Sequence, residues 1–278
     1  MKNVDTKTVD SFADEWSRFD QKRVSSQESK KTFEEYFSVF PWDELPENSE
    51  GFDMGCGSGR WAAWVAPQVA KLNCIEPSGA IEVAKNNLLH FPNITFYRAS
   101  VGENSLDNNT QDFGYSLGVL HHVPETEKAI KSCVELLKPG APLLLYLYYS
   151  FDNKSFLFYL IWRLSDLIRR IICNLNPLIK NIITDIIAFF IYWPLAKVSY
   201  FIDNLGLSVV NIPLSYYRNH SFYTMRTDSR DRFGTPLEKR FTKSQIIKMM
   251  ESAGLEDIKF SDKEPFWCAV GRKKFMQI

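Results

Sequence analysis

The chain has 278 residues, 45% of them hydrophobic, and carries 33 basic and 33 acidic side chains. That apolar content is enough for a full core and excludes disorder as the ground state, while the balanced charge excludes a global field drawing the protein to nucleic acid or an anionic surface. Five cysteines (Cys56, Cys74, Cys133, Cys173 and Cys268) form no C-x-x-C pair and have no neighbouring histidine, which predicts reduced, buried thiols in a cytoplasmic protein and no metal site.

The N-terminal "MKNVDTKTVDSFADEW" carries acids early and lacks an apolar core, unlike a secretory signal, so export is not expected. Overlapping its end, "DSFADEWSRFDQ" predicts a short amphipathic helix, capped through the Ser11 and Asp14 spacing, with Phe12, Trp16 and Phe19 on one side. After the polar "PWDELPENSE", Gly51 to Met54 reads as a first buried strand, and "RWAAWVAPQVA" resumes as a helix. The rhythm repeats through "KLNCIEP" and "SGAIEVAKNNLLH", through "ITFYRAS" and a polar loop, and through "FGYSLGVL" and "ETEKAIKSCVELLKPG" to "APLLLYLYY". Such alternation predicts a parallel sheet covered by helices.

From Phe151 the rhythm breaks into the apolar, helix-like "SFLFYLIWRLSDLIRRII" and "IITDIIAFFIYWPLAKVSYFI". The longest unbroken apolar run, Ile186 to Ala196, has eleven residues including Pro194. A bilayer needs about 20 residues, so run length argues against a transmembrane helix. Arg163, Arg169, Arg170, Lys180 and Lys197 interleave with Trp162, Tyr192 and Trp193. A helical lid, burying its apolar faces on itself, the sheet or a second subunit, is favoured over an amphipathic element lying in a membrane interface. The rhythm then returns. Thr242 and Gln245 make a capping box, Gly254 ends that helix, and "LEDIKFS" and "FWCAVGRKK" form a predicted antiparallel hairpin.

The stretch "GFDMGCGSGRW" carries most of the functional information. A strand, a G-x-G-x-G turn and a helix present backbone N–H groups to a ligand that approaches where a Cβ would block it. Alone, the pattern fits a nicotinamide or flavin site equally, with Glu76 at the end of the next strand serving any adenosine ribose. Asp53, two residues before Gly55, would repel a pyrophosphate and suits an ammonium group.

The acid-x-Gly-x-Gly-x-Gly spacing, the acid closing the next strand, and "DFGYSLGVLHHVPETEKAIKSCVELLKPGAPLLLYLYY" together resemble the class I S-adenosyl-L-methionine-dependent methyltransferases. The resemblance covers most of residues 50–150 plus the terminal hairpin. It implies an α/β fold: a seven-stranded, mostly parallel sheet of order 3-2-1-4-5-7-6 between helices, with a helical lid between strands five and six. The implied organisation is N-terminal gating helices over 1–46, a Rossmann-like core over 47–150 and 237–278, and an acceptor-binding lid over 151–236.

Carried over by position, Asp53, Gly55, Gly57 and Gly59 face the methionine portion, Glu76 holds the ribose hydroxyls, Pro77 lies beside the adenine, and the Gly118 carbonyl meets the ammonium. Ser100 and Val101 stand where the family often has an acid for the adenine amino group. His121 and His122 end the fourth strand, where a histidine can take a proton from an acceptor; His122 is the preferred base. In the insertion, Tyr217, Arg218, His220, Tyr223, Arg226 and Arg232 either recognise an anionic acceptor or belong to an internal Arg–Asp network. The expected partner is a small-molecule acceptor, saccharide or lipid-linked, with a homodimer through the lid and a peripheral membrane contact as further expectations. A nicotinamide oxidoreductase, a membrane-interface lipid methyltransferase and a non-catalytic cofactor-binding module are the rival readings, and neither composition nor motif supports nucleic-acid binding.

Overall fold

The structure, a computed structural model, describes residues 3–103, 105–152 and 154–275. Two compact units emerge: one of Met1–Asp20, Ser29–Ser150 and Leu237–Ile278, the other of Gln21–Glu28 and Phe151–Pro236.

The first unit holds a seven-stranded sheet made of β1 (Glu50–Met54), β2 (Lys71–Ile75), β3 (Ile94–Tyr97), β4 (Phe113–Leu117), β5 (Pro142–Tyr146), β6 (Leu255–Phe260) and β7 (Cys268–Lys273). Their order is β3-β2-β1-β4-β5-β7-β6, parallel through β5 with β7 antiparallel to both neighbours. The expected fold is thus observed. Strands covered on both faces bury every residue, as β4 does throughout. One core cluster joins β1 and β5 to the Ile130–Cys133 side of one helix, and the other packs Phe33, Phe37 and Phe40 against Trp61 and Tyr115.

Two strands interlock through glycine and phenylalanine. Gly51 pairs with Phe113 and Phe52 with Gly114, and each ring lies over the neighbouring glycine. A Cβ on Gly51 would stand 2.3 Å from the Phe113 ring, and one on Gly114 would stand 2.2 Å from Phe52. Gly114→Ala should therefore lower stability by about 1–3 kcal/mol through overpacking, read as a lower urea midpoint at unchanged slope. An unchanged midpoint would mean that the rings are free to yield.

The helices follow their caps. The first, α1 (Thr6–Arg18), starts at Asp5, whose carboxylate accepts from the Thr8 amide at 2.8 Å. This corrects the expected Ser11–Asp14 cap, because those residues lie inside the helix and Ser11 is buried. Next come α2 (Ser26–Tyr36), whose first turn groups with the second unit, and α3 (Ala62–Val65), which passes into a 3₁₀ turn at Pro67. Two further helices of the first unit are α4 (Ala80–Asn87) and α5 (Thr126–Leu136).

In the second unit, α6 (Phe156–Ile172) precedes α7 (Pro177–Ile187), a π-helical turn at Ala188–Tyr192, and α8 (Trp193–Asn204). The last three run on as one 28-residue helix containing an 18-residue stretch of mean hydropathy 1.5, long and apolar enough by length and composition to cross a membrane. Run length in the sequence had argued the opposite. The π turn ahead of Pro194 absorbs the missing N–H, so the proline does not break the helix. The polar α9 (Phe222–Gly234) packs against α6 and α7. Back in the first unit, α10 (Lys243–Ser252) carries both halves of the expected Thr242–Gln245 capping box.

Candidate cofactor and acceptor site

The β1-to-α3 turn is built from its backbone. The amides of Gly55 and Cys56 both donate to the Ile75 carbonyl, at 2.8 and 3.1 Å, which folds the loop over the end of β2. Gly57 has φ +54°, and a Cβ there would stand 3.1 Å from the Trp16 indole nitrogen. The Gly57 amide donates to Glu76 Oε2 at 3.1 Å, and the Ser78 amide donates to Oε1 at 2.9 Å. Glu76 is thereby fixed beside the loop. Burial raises its pKa, and the Ser78 and Gly57 hydrogen bonds oppose that rise.

Asp53 is the unusual group. It is 1% exposed, and neither carboxylate oxygen makes a hydrogen bond of normal geometry among the described residues. Burial pushes its pKa to about 8; the nearby Tyr115 hydroxyl pulls it down, Glu76 adds repulsion, and Arg60 offsets part of that. A buried acid left in this state is poised for a cation. An amino-acid ammonium beside a glycine loop fits that requirement, so the residues present suit the implied S-adenosyl-L-methionine.

A cavity of about 50 Å³ opens beside the loop, lined by Gly55, Pro77, Ser100, Val101 and His122 among the expected residues. Asp53, Gly57, Gly59, Glu76, Gly118 and His121 are not in its lining. Gly118 ends β4 with φ +81°, and its amide donates to the Tyr146 carbonyl. The Ser100 hydroxyl is directed to Glu103 at 3.3 Å. Residues that sequence reasoning missed include Asn3, Val4, Asp5 and Val9, which bring the N-terminal segment into the wall. The Asn3 side chain is tied by both its amide and its oxygen to the Glu125 backbone.

The two histidines occupy different environments. His121 is fully buried, stacked at 3.9 Å on Tyr148, with neither ring nitrogen hydrogen-bonded among the described residues. Burial holds its pKa well below the usual value, with His122 and Arg240 adding to the effect. His122 meets the cavity, and its Nδ1 lies 2.6 Å from the Leu237 carbonyl. Because a carbonyl only accepts, Nδ1 carries the proton and Nε2 is the basic atom of the neutral ring. The segment after Pro236 fixes this arrangement, since the Leu237 amide donates to Thr8 Oγ1 and the Lys239 amide donates to the His121 carbonyl.

Aromatic rings continue outward from these histidines. Tyr148 touches His121, Tyr146 lies 5.8 Å from Tyr148, Tyr36 lies 4.9 Å from Tyr146, and Trp61 lies 4.7 Å from Tyr36. Phe12 of α1 meets His122 edge-on at 5.0 Å. The signal was present in the alternating tyrosines after β5, which sequence reasoning read only as strand.

The insertion supplies six of the expected residues. All six belong to the second unit, and none lines the cavity. Arg226 forks onto Asp185 at 2.9 and 3.0 Å, Arg218 pairs with Asp203 at 2.9 Å, and Arg232 approaches Asp166 at 4.0 Å. The Tyr223 hydroxyl accepts from the Gln21 amide, and His220 Nδ1 lies 3.0 Å from the Tyr216 carbonyl. Burial raises the pKa of Tyr217. The three arginines thus pair with aspartates of their own unit.

Residues 52–145 match the family described as "Methyltransferase domain". A ubiquinone biosynthesis O-methyltransferase of Coxiella burnetii is 31% identical over 110 residues, which is 39% of this chain and 45% of that protein. One of the same name from Alkalilimnicola ehrlichii is 33% identical over 91 residues, covering 32% and 37%. The aligned stretch thus spans less than half the length of these curated relatives. Among solved structures, the S-adenosylmethionine-dependent methyltransferase SibL superposes with a TM-score of 0.53 at 12% identity, over 89% of this chain and 56% of that one. That likeness is one of fold.

Proposed function

We propose that this chain, whose residues 52–145 match the methyltransferase domain family and whose sheet has the class I strand order, is an S-adenosyl-L-methionine-dependent methyltransferase acting on a small-molecule acceptor. The observation that carries the reading is Asp53, a buried carboxylate beside the glycine loop with its oxygens unengaged among the described residues and its pKa pushed to about 8. An incoming ammonium would ionise it and satisfy it. When bound, the cofactor supplies a methyl group on a sulfonium, whose in-line displacement needs alignment more than covalent help.

The chain's own groups divide the work. Asp53 and the Gly118 carbonyl take the ammonium, with Gly55, Gly57 and Gly59 giving the methionine portion close access to the backbone. Glu76 takes the ribose hydroxyls, since its oxygens keep lone pairs after accepting from Gly57 and Ser78. Pro77, Ser100 and Val101 form the adenine end. The N-terminal segment acts as a gate: sites for drug-sized ligands run to about 300–1,000 Å³, against about 50 Å³ here with α1 in place. Loading therefore requires α1 to move outward, lifting Trp16 from Gly57.

His122 Nε2 removes the acceptor proton, and the tyrosine-rich wall flanks a flat acceptor. A hydroxyl acceptor is favoured by that wall and by the O-methyltransferase names of the relatives. A saccharide or lipid-linked molecule would lie against the same rings and belongs in the same assay panel.

S-adenosylhomocysteine at about 100 times its Kd should stabilise the chain by about 2.7 kcal/mol, a shift of roughly 5–10 °C for a chain of this size. NADH should give none. A shift with NADH alone, or no shift with S-adenosylhomocysteine, removes the reading. Transfer of labelled methyl across phenolic, saccharide and lipid-linked acceptors then separates an enzyme from a binding module.

A further inference from the structure

The second unit is inverted in polarity. Its interior holds Asp166, Arg169, Lys180, Thr184, Ser199 and Arg230, each at most 7% exposed. The charged groups are engaged within the unit: Arg169 donates to Asp166 and to the Thr235 and Pro236 carbonyls, Arg230 donates to Asn181, and Lys180 donates to the Gly234 carbonyl. The outward faces are apolar. On α6, Leu160, Leu164, Leu167 and Ile171 recur at helical spacing and are 46–65% exposed; on the continuous Pro177–Asn204 helix, Ile182, Phe190 and Phe201 are 60–69% exposed. A water-soluble helix has the opposite arrangement.

We propose that the second unit beds in the interface of an anionic lipid bilayer through the apolar faces of α6 and the Pro177–Asn204 helix. Charge selects this occupant. All three acids of these helices are engaged by arginines, Asp166 by Arg169 and Arg170, Asp185 by Arg226, and Asp203 by Arg218. The exposed cations Arg163 and Arg170, seven residues apart, border the apolar arc of α6, and Lys197 stands on α8 within 6.0 Å of the Tyr200 ring. Cations beside half-exposed Trp193, Tyr159 and Tyr200 suit phosphate headgroups over acyl chains.

The long helix lies along the surface and does not cross it. Its inner side is bound to α9, through Asp185 to Arg226 and Lys180 to Gly234. Crossing would take a helix bearing Arg226, Arg230, Arg232, Asp228 and Asp231 into hydrocarbon. The inference is independent of the methyl-transfer reading, because it uses no residue of the cofactor site.

Flotation of the full chain with phosphatidylcholine vesicles, with and without phosphatidylglycerol, tests it. Wild type should float with the anionic vesicles, and the Leu164→Asp/Phe190→Asp pair should lose at least ~10-fold in partitioning. Both sites are exposed, so the melting temperature should hold and report an intact fold. Arg163→Glu/Lys197→Glu, or high salt, should weaken binding in the same direction. Absence of flotation, equal flotation of the Leu164→Asp/Phe190→Asp chain, or equal binding to neutral vesicles would overturn the proposal. So would a discrete dimer that the same pair converts to monomer without any vesicle binding, which would assign the face to a second copy.

Discussion

Asp53→Asn is expected to raise the melting temperature of the ligand-free chain while weakening S-adenosylhomocysteine about 100-fold, the equivalent of ~2.7 kcal/mol for a lost charge-assisted contact. Both effects have one cause. Burial moves the Asp53 pKa from 3.8 to about 8, so between those values the folded chain holds a proton that the unfolded chain has released. Folding stability from this group is therefore complete below about pH 4 and declines as the pH climbs toward about 8. Asparagine does not titrate, so its stability advantage should widen across that window and level off above it.

Ligand binding runs the other way. The ammonium needs the carboxylate, so wild-type affinity should strengthen by up to about tenfold per pH unit below about 8 and then flatten. The Asp53→Asn chain should show no such slope. Differential scanning fluorimetry and calorimetric titration from about pH 5 to about pH 9, a range that brackets the shifted group, measure both effects on the same samples. A pH-independent wild-type affinity would mean that Asp53 is already ionised in the ligand-free site, and the fit to an ammonium would lose its basis.

Much of this fold was legible because local signals agreed with each other. The Thr242–Gln245 box, the helix-ending Gly254 and the return of strand rhythm all predict the terminal helix and hairpin, and all are observed. The glycine loop was equally plain, since three glycines at alternate positions all adopt positive φ. What failed did so for identifiable reasons. Ser11 and Asp14 have capping spacing, but Asp5 reaches the Thr8 amide first, and a spacing rule cannot rank two candidate starts.

The long helix exposes a second weakness. Counting consecutive apolar residues treats Lys180, Thr184, Asp185 and Ser199 as interruptions, although helical geometry turns these residues inward and leaves an apolar strip outside. Linear runs do not see faces. The cavity wall formed by Asn3 to Val9 was hidden differently: nothing in a polar N-terminal stretch says where its chain will be laid. Contacts to Glu125 and Leu237, more than a hundred residues away, define its place.

His122→Gln should lower kcat by roughly 10²–10³-fold, within the range for losing a positioned general base, while leaving S-adenosylhomocysteine affinity within about twofold, a fraction of a kcal/mol. The split follows from geometry. The Leu237 carbonyl fixes the proton on Nδ1 and so directs the lone pair of Nε2 outward from that bond. Glutamine can keep a hydrogen bond to Leu237 but supplies no basic nitrogen, so turnover should fall while cofactor-product binding holds. His121 provides the contrast, because burial keeps it neutral and it stacks on Tyr148. His121→Phe preserves that stacking and should retain the larger share of turnover. If the His121 change costs more than the His122 change with the fold intact, the assignment of the base is reversed. If neither change lowers kcat, proton removal occurs without either ring, and alignment at the glycine loop must account for the rate.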